Sequence, residues 1–204
     1  LTAELGLGEM GRVIHDAIVD AGVDVASVVE EKAVSNRTGV ERPATAGDPR
    51  FPLSIIAVNA DQTRLAASTH PDVVHDRYRI GLWAWELEDF PEWQHEAFSM
   101  VDEVWTVSDF CRDAFAAHAP VPVKTSPVPV RDPGPTARVR KAGDPTRFLY
   151  AFDFNSVGAR KNPWGAVEAF RIAFEGRTDA RLVLKTINGD LHPQAAERDR
   201  KSVV

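Results

Sequence analysis

The sequence predicts an α/β fold with a parallel, doubly wound sheet. Segments with the period of a strand alternate with segments whose apolar residues recur at helical spacing, and this alternation is typical of βαβ units. The run LSIIAVNA, residues 53–60, is apolar throughout, as expected for a strand buried on both faces of a parallel sheet. Residues 131–146, rich in Pro, Gly and charge, separate this first α/β unit from the start of a second.

The first predicted element is an amphipathic helix over residues 9–21. Its apolar face consists of Met10, Val13, Ile14, Ala17, Ile18 and Ala21. The same patterns predict helices over 91–101 and 109–118, with Ser108 as the N-cap of the second. The predicted strands are 23–29, 53–60, 79–85, 103–107, 121–128, 147–154 and 181–188.

The chain is expected to hold one α/β domain and the beginning of another. The first domain spans residues 1–130 without its opening strand, 131–146 form a linker, and 147–198 begin a second domain that is cut short. Residues 31–50 interrupt the first domain and suit either a functional lid or a disordered loop. Residues 199–204 are what a common sequencing-adapter sequence encodes, so we treat them as an assembly artefact; the alternative is a natural polar tail.

Composition narrows the class of protein. The 204 residues carry a net charge of −6, which gives no electrostatic basis for binding nucleic acid or an anionic membrane. The single cysteine, Cys111, cannot form an internal disulfide, as expected in a reducing cytosol. The sequence has no apolar run of the ~18 to 20 residues that cross a membrane, and no signal peptide opens it. We therefore expect a soluble, cytoplasmic protein.

The motif with the clearest chemistry lies near the end of the chain. Arg160 and Lys161 directly precede Asn162 and Pro163, and Pro after an Asn N-cap is a strong signal for the start of a helix. That helix is expected to stop near Gly176. Its unpaired N–H groups and positive dipole end, with two cations beside them, predict a binding site for a phosphate or diphosphate.

A glycine cluster near the start of the chain has two interpretations. GLGEMG, residues 6–11, matches the G-x-G-x-x-G dinucleotide fingerprint, with Glu30 or Glu31 at roughly the expected ~20-residue distance. However, the carboxylate of Glu9 competes with a pyrophosphate for the same helix N-terminus. The two later glutamates also lead into a long loop instead of ending a strand. The cluster therefore suits a glycine-rich strand-to-helix turn, or a site loop that binds something other than NAD.

Together, these stretches resemble the retaining glycosyltransferases of family 4, also called group 1. LGLGEMGRVIHDAIVDAGVDV is similar to the family's first loop and helix, and SIIAVNADQ with RIGLWAWELEDFPEWQHEAFSMVDEVWTVSDFCRDAF is similar to the rest of its acceptor domain. FDFNSVGARKNPWGAVEAFRIAF resembles the opening of its donor domain. The resemblance covers nearly all of residues 1–190 and implies the GT-B fold, in which two Rossmann-like domains face each other.

The resemblance implies transfer of a sugar from a nucleotide-diphosphate sugar to an acceptor, with retention of configuration and without a metal or other cofactor. In such a reaction, positive groups stabilise the departing diphosphate. Lys161 matches the family's basic residue at the donor diphosphate, and Gly6 and Gly8 match its glycine loop. The family's partner arginine corresponds to Ser156, and Arg160 is the candidate to replace it.

The acceptor side also has candidate residues. Glu86 stands where many relatives carry a histidine, and it is the candidate catalytic residue, contacting the acceptor or stabilising charge. It follows a strand at the carboxyl end, where open α/β sheets place ligands. Trp83 and Trp85 share one face of that strand and are expected in the core. The other candidates at strand ends are Asn59, Asp61 and Glu88. The six histidines show no metal-ligand spacing.

The implied partners are a nucleotide sugar and a glycan or lipid-linked acceptor, with peripheral association at the inner membrane face. The family holds its donor largely with a later region that contains an E-x7-E motif, so this chain alone is expected to be inactive and poorly stable. Two other hypotheses stay open. One is an NAD-dependent oxidoreductase, or a sugar-nucleotide-modifying enzyme, built on GLGEMG. The other is a non-catalytic nucleotide-sugar-binding protein.

Overall fold

The chain divides into two compact units, Leu1–Asp132 and Pro133–Val204, and the division falls inside the stretch predicted as a linker. The structure is a computed structural model. It describes residues 6–29, 51–132, 134–135, 141–156 and 158–193. The predicted loop 31–50 and the predicted tail 199–204 lie outside the described residues.

The first unit is built on a four-stranded parallel sheet. Its strands, hydrogen-bonded in sequence order, are β1 (Leu53–Ile56), β2 (Tyr78–Trp83), β3 (Glu103–Thr106) and β4 (Val123–Thr125). All three strand pairs are parallel. The predicted α/β class and its parallel strands are therefore confirmed, although each strand is shorter than the segment predicted for it from the apolar residues. A sheet of this kind is compatible with a Rossmann-like fold.

Five helices accompany this sheet in the described part of the first unit. They are α1 (Gly6–Asp20), α2 (Ala60–Thr69), α3 (Asp109–Ala116) and two 3₁₀ helices, Pro71–Val73 and Glu92–Met100. The predicted N-cap of α3 is confirmed, because the hydroxyl of Ser108 accepts a hydrogen bond from the backbone N–H of Cys111 at 3.3 Å.

Two predicted elements differ from the structure. Residues 23–29 do not form a strand, and only Ser27 makes an isolated β-bridge there. The segment predicted as an α-helix over 91–101 is instead the 3₁₀ helix Glu92–Met100. Because a 3₁₀ helix has three residues per turn, Gln94 and Ala97 fall on one side, and both are buried.

The apolar pattern misses helix α2 altogether. The run 53–60 looks like a single strand, but the chain leaves the sheet after Ile56 and begins a helix at Ala60, with Asn59 as its N-cap. The buried face of α2 consists of small residues, which give a weak helical signal in the sequence. This helix supplies the crossover between β1 and β2 that two neighbouring parallel strands require.

Helices cover both faces of the first sheet. Successive residues of a strand point to opposite faces. Ile56, Trp83 and Val104 therefore pack into one core cluster with α2, α3 and the longer 3₁₀ helix. On the opposite face, Leu82 packs with Met10 and Ile14 of α1. The continuous apolar runs of the sequence thus match strands that are buried on both sides.

Trp83 is the centre of the larger cluster and is fully buried. Its indole N–H donates to the hydroxyl of Thr63 on α2 at 3.1 Å, so the buried polar atom is satisfied. Its ring lies 5.4 Å from the ring of Phe98 and 5.7 Å from that of Phe115, between centroids. Gly81 leaves the room for this ring, because a Cβ there would come within 2.8 Å of it.

A pair of charged residues joins the amino ends of β2 and β3. Asp102 accepts two hydrogen bonds from the Arg79 guanidinium, each at 2.9 Å, and one from the Arg79 backbone N–H at 2.8 Å. The Arg79 side chain, followed by its backbone N–H, lowers the pKa of Asp102 from 3.8 to about 2. The carboxylate therefore stays ionised at any ordinary pH.

A second carboxylate, Glu103, is buried beside this pair. It accepts hydrogen bonds from the Tyr78 hydroxyl at 2.9 Å and from the Trp105 indole, and it pairs with Lys124 at 2.8 Å. Burial by itself raises the pKa of Glu103, but these three donors outweigh it, so the pKa lies below its ordinary value. The buried charge is thus fully compensated, as buried ions require.

The second unit is a parallel βαβ arrangement. Its elements are β5 (Thr146–Asp153), α4 (Gly158–Lys161), α5 (Pro163–Ala173) and β6 (Ala180–Ile187), with β5 and β6 paired in parallel. Phe148 packs against Phe170 and Phe174 at centroid distances of 5.7 and 5.0 Å. The predicted strands and helix are confirmed. The chain turns after α5 at Gly176, which has a φ of +68°.

Gly81→Ala should destabilise the first unit by about 2 kcal/mol, because the added methyl group displaces the buried Trp83 ring and its hydrogen bond to Thr63. Urea unfolding followed by tryptophan fluorescence measures this. Gly6→Ala is the matched control, since nothing lies within 4 Å of a Cβ at Gly6. A Gly81→Ala midpoint equal to that of the control would contradict this account of the core.

Asp102→Asn should remove a pH-dependent part of the stability. Because the folded-state pKa of Asp102 is depressed to about 2, the carboxylate stabilises the fold above pH 3.8 and loses this effect as the pH falls toward 2. The difference in urea midpoint between wild type and Asp102→Asn should therefore be largest above pH 4 and shrink below it. Asp72→Asn, at an exposed position, serves as the control. A difference that is constant from pH 6 to 2 would contradict the prediction.

Candidate functional site

Several acceptor-side candidates lie at the carboxyl ends of β1 and β2. Asn59 follows β1, and its side-chain oxygen accepts a hydrogen bond from the backbone N–H of Ala84 at 3.1 Å, directly after β2. Asn59 therefore connects the carboxyl ends of β1 and β2 and fixes their relative position. Asp61 lies in the first turn of α2, is exposed, and accepts a hydrogen bond from Gln62 at 3.0 Å.

The loop after β2 carries Glu86 and Glu88, and both are exposed. The loop is fixed by Trp85, whose indole N–H donates to the carbonyl of Asp89 at 2.8 Å. The Trp85 ring also meets Phe90 edge-on at 5.4 Å, which confirms the prediction that Trp85 belongs to the core. Because the loop is held at its tryptophan, the two glutamates are presented to solvent at a defined place on the sheet edge.

The start of α3 joins the same edge. The thiol of Cys111 donates to the carbonyl of Trp85 at 3.0 Å, so the first turn of α3 contacts the loop that follows β2. Cys111 is itself buried, which suits a packed rather than a nucleophilic cysteine. The segments that follow β2 and β3 are thus in contact at the carboxyl edge of the sheet, the edge at which open α/β sheets place their ligands.

The glycine cluster lies inside a helix and not in a loop before it. The sequence predicted a glycine loop followed by a helix from residue 9, but α1 begins at Gly6, so both Gly6 and Gly8 belong to its first turn. Gly6 is exposed and Gly8 is buried. Glu9 pairs with Arg12 at 2.7 Å and with Arg131 at 3.5 Å. The negative charge of Glu9 thus lies in the first turn of the helix, where it disfavours a pyrophosphate and weakens the dinucleotide hypothesis.

Arg131 is a residue that sequence reasoning placed in the linker. Besides Glu9, it hydrogen-bonds to Asp16, which lies two turns further along α1. The hydrogen bond from His15, together with that from Arg131, lowers the pKa of Asp16 below its ordinary value. No local sequence signal marks this contact, because it joins positions more than a hundred residues apart. Glu30 and Glu31, the other part of the fingerprint, lie outside the described residues.

The donor-side candidates lie in the second unit. After β5 the chain forms the short helix α4, which the sequence did not predict, and Arg160 and Lys161 are its last two residues. Arg160 is exposed and Lys161 is half-buried. The hydroxyl of Tyr150 donates to the backbone carbonyl of Lys161, so β5 fixes the position of this lysine.

The N-terminus of α5 differs in one respect from the predicted anion site. Asn162 is the N-cap, as predicted, and its side-chain oxygen accepts the N–H of Gly165 at 3.1 Å. Pro163 has no N–H, and the N–H of Ala166 bonds to the carbonyl of Asn162 at 3.3 Å. Pro163 thus offers no N–H, and the N–H groups of Gly165 and Ala166 already have partners, so the attraction for an anion must come mainly from the cations and the helix dipole.

Asp153 and Asn188 connect the carboxyl ends of β5 and β6. The amide of Asn188 donates to Asp153 at 2.6 Å, and the backbone N–H of Asn155 donates to the same carboxylate oxygen at 2.9 Å. Asn155 also hydrogen-bonds to His192 at 2.9 Å. Sequence reasoning missed this polar group, although the Asn188-Gly189 pair is a turn signal in the sequence. In the structure Asn188 adopts a φ of +62°.

The two units differ strongly in charge. Residues 1–132 contain 22 acidic and 11 basic residues, whereas residues 133–204 contain 8 acidic and 13 basic ones. The net charge of −6 for the chain hides this difference. A count over the predicted domains has the same sign, with 21 acidic and 10 basic residues in 1–130 and 6 acidic and 8 basic residues in 147–198. This difference in charge favours the second unit over the first for an anionic ligand.

No group of three or more His, Cys, Asp and Glu side chains is placed to hold a metal ion among the residues that the structure describes. In the same part of the chain, no helix is long and apolar enough to cross a membrane. The chain matches no protein-family model, no curated protein and no solved structure. The family resemblance of the sequence therefore remains a prediction, and the geometry above is what bears on function.

Asn162→Ala should loosen the start of α5 by about 2 kcal/mol, because it removes the cap and because alanine adopts the left-handed conformation less readily than asparagine does. Asn162→Gly loses the same hydrogen bond but tolerates the φ of +47°, so its effect should be smaller. Amide hydrogen exchange of α5 measures both. Equal protection in the two variants would show that backbone strain does not contribute.

Proposed function

We propose that this chain is part of a retaining glycosyltransferase of family 4 with the GT-B fold. The first unit would bind the acceptor, and the second would bind a nucleotide-diphosphate sugar. The support is a parallel α/β arrangement in each unit and the charge difference between them. The proposed acceptor is a glycan or lipid-linked saccharide, and the proposed location is the cytoplasm or the inner membrane face.

The observation that carries the proposal is the position of Lys161 and Arg160. Both follow β5 at its carboxyl end and directly precede the capped start of α5, in the basic unit. Two positive side chains beside a helix N-terminus favour a doubly charged diphosphate over a neutral ligand. Ser156 lies in the turn after β5, where the resemblance places an arginine, so Arg160 is the cation proposed to replace it.

The chemistry follows from the charge of the leaving group. When the bond from the anomeric carbon to the diphosphate breaks, negative charge develops on the diphosphate oxygens, and cations already in place stabilise it. No metal is needed in this proposal, because Lys161 and Arg160 supply the positive charge. Glu86, exposed beside the fixed Trp85, is proposed to contact the acceptor or to stabilise developing positive charge at the sugar ring.

The two alternative functions that the sequence left open have less support. An NAD-dependent oxidoreductase would bind a pyrophosphate at the start of the helix in GLGEMG, and the carboxylate of Glu9 in the first turn disfavours that anion. A non-catalytic nucleotide-sugar-binding protein would use the same basic residues as the transferase. Turnover, and not binding, separates those two hypotheses.

Lys161→Ala should weaken binding of a nucleoside diphosphate about tenfold, which corresponds to about 1.4 kcal/mol for one charge-assisted contact. Isothermal titration of the chain with uridine, guanosine and adenosine diphosphates measures it. Lys185→Ala is the control, because it removes another lysine of the second unit, an exposed one that lies within β6.

Equal loss in the two variants would indicate non-specific attraction to the basic unit. No binding of any of the three nucleotides by the wild-type chain would contradict the donor-site proposal. Transfer of the sugar from a derivative of the preferred nucleotide would exclude the non-catalytic alternative.

A further inference from the structure

We propose that one face of the second unit's sheet is a docking surface for an acidic amphipathic helix of a partner protein. This face, called the open face, consists of the odd-numbered residues in 147–153 of β5 and in 181–187 of β6. Because successive residues of a strand point to opposite sides, these residues share one side of the sheet. The parallel register places Leu149 beside Val183 and Asp153 beside Ile187. The inference adds an interaction surface to the proposed function and does not depend on it.

The two faces of this sheet differ in what covers them. On the even-numbered face, the ring of Phe148 lies 5.7 Å from that of Phe170 on α5, between centroids. On the open face, Leu149 is 68% exposed, and Val183 and Ile187 are 38% and 39% exposed. Parallel sheets are normally covered by helices on both faces. Among the described residues the open face lacks such a cover, and its apolar side chains form one group instead of being scattered singly.

Three cations border the apolar side chains of the open face. Arg147 and Arg181 lie side by side at the amino ends of the strands, and Lys185 lies further along β6. All three are exposed, and within the described part of the chain none of them forms an ion pair or a side-chain hydrogen bond. By contrast, Arg177 in the same unit pairs with Asp179. Unpaired cations beside exposed apolar side chains favour a partner that brings both carboxylates and an apolar surface.

The order of the charges along the open face favours a helix over other acidic partners. The arginine pair lies at the amino end of the face, and Asp153 lies at its carboxyl end. A helix carries partial positive charge at its N-terminus and partial negative charge at its C-terminus. A helix that runs antiparallel to the strands therefore puts its negative end at the arginines and its positive end at Asp153. An anionic membrane has no such polarity and meets Asp153 as a like charge.

The open face also has the size of one helix. From residue 147 to residue 153, β5 extends about 20 Å, at about 3.3 Å per residue. About 13 residues of α-helix cover that length, at about 1.5 Å per residue. Apolar residues on one side of such a helix would pack on Leu149, Val183 and Ile187, and acidic residues beside them would reach the three cations. An amphipathic helix that lays its apolar side on an apolar surface is a common mode of peptide recognition.

Fluorescence anisotropy of the full chain with two labelled peptides of about 14 residues tests the inference. Both peptides carry leucine along one side and are hydrocarbon-stapled, so that they are helical before binding. The acidic peptide carries glutamate on its other side, and the basic peptide carries lysine at the same positions. The acidic peptide should bind about tenfold more tightly than the basic one, because three cations of the open face attract its glutamates and repel the lysines.

Two pairs of variants locate the binding on the open face. Leu149→Ser should weaken binding of the acidic peptide about tenfold, because apolar burial is lost. Its matched control is Ile172→Ser, at a side chain that is 72% exposed but lies on α5. Arg181→Glu should weaken binding about fivefold, whereas Arg171→Glu, also on α5, should leave it unchanged. All four positions are exposed, so equal urea midpoints are expected for the variants. An equal loss of binding within either pair would overturn the inference.

Three other results would also overturn it. The first is that the acidic peptide does not bind, or that the two peptides bind equally. The second is that vesicles containing phosphatidylglycerol bind more tightly than the acidic peptide, which would assign the open face to a membrane. The third is a dimer of the chain without peptide, in sedimentation equilibrium, that Leu149→Ser dissociates, since a second copy would then cover the open face.

Discussion

The buried indole of Trp83 is the contact on which the first unit most depends. It joins β2 to α2 through the hydrogen bond to Thr63, and its ring packs on Phe98 and Phe115 from two further helices. The glycine at position 81 leaves the space that this ring fills. Because Trp83 ends β2, its position also determines where the loop with Glu86 leaves the sheet. A core contact therefore fixes the geometry of the candidate acceptor site.

Charge separates the two sets of candidate residues. The acidic unit presents exposed carboxylates at the carboxyl edge of its sheet, and the basic unit presents Lys161 and Arg160. The diphosphate of the proposed donor is suited to the basic set, because the acidic unit would repel it.

Side chains of the protein modify both helix N-termini that the sequence marked as candidate sites. Glu9 adds a negative charge to the first turn of α1, and Asn162 caps the start of α5. The proposed anionic ligand at α5 would therefore depend more on charged side chains than on bare backbone N–H groups.

The sequence by itself determined the α/β class, the parallel strands, the caps Ser108 and Asn162 and the burial of Trp83. These features depend on local periodicity and on single-residue chemistry, which neighbouring residues reveal. Tertiary structure alone decided the early end of β1 and the 3₁₀ winding of Glu92–Met100. It also decided the hydrogen bond between Asn59 and Ala84 and the ion pair between Arg131 and Glu9 of α1. Those features depend on contacts between positions far apart in the chain, and packing free energy there overrides local propensity.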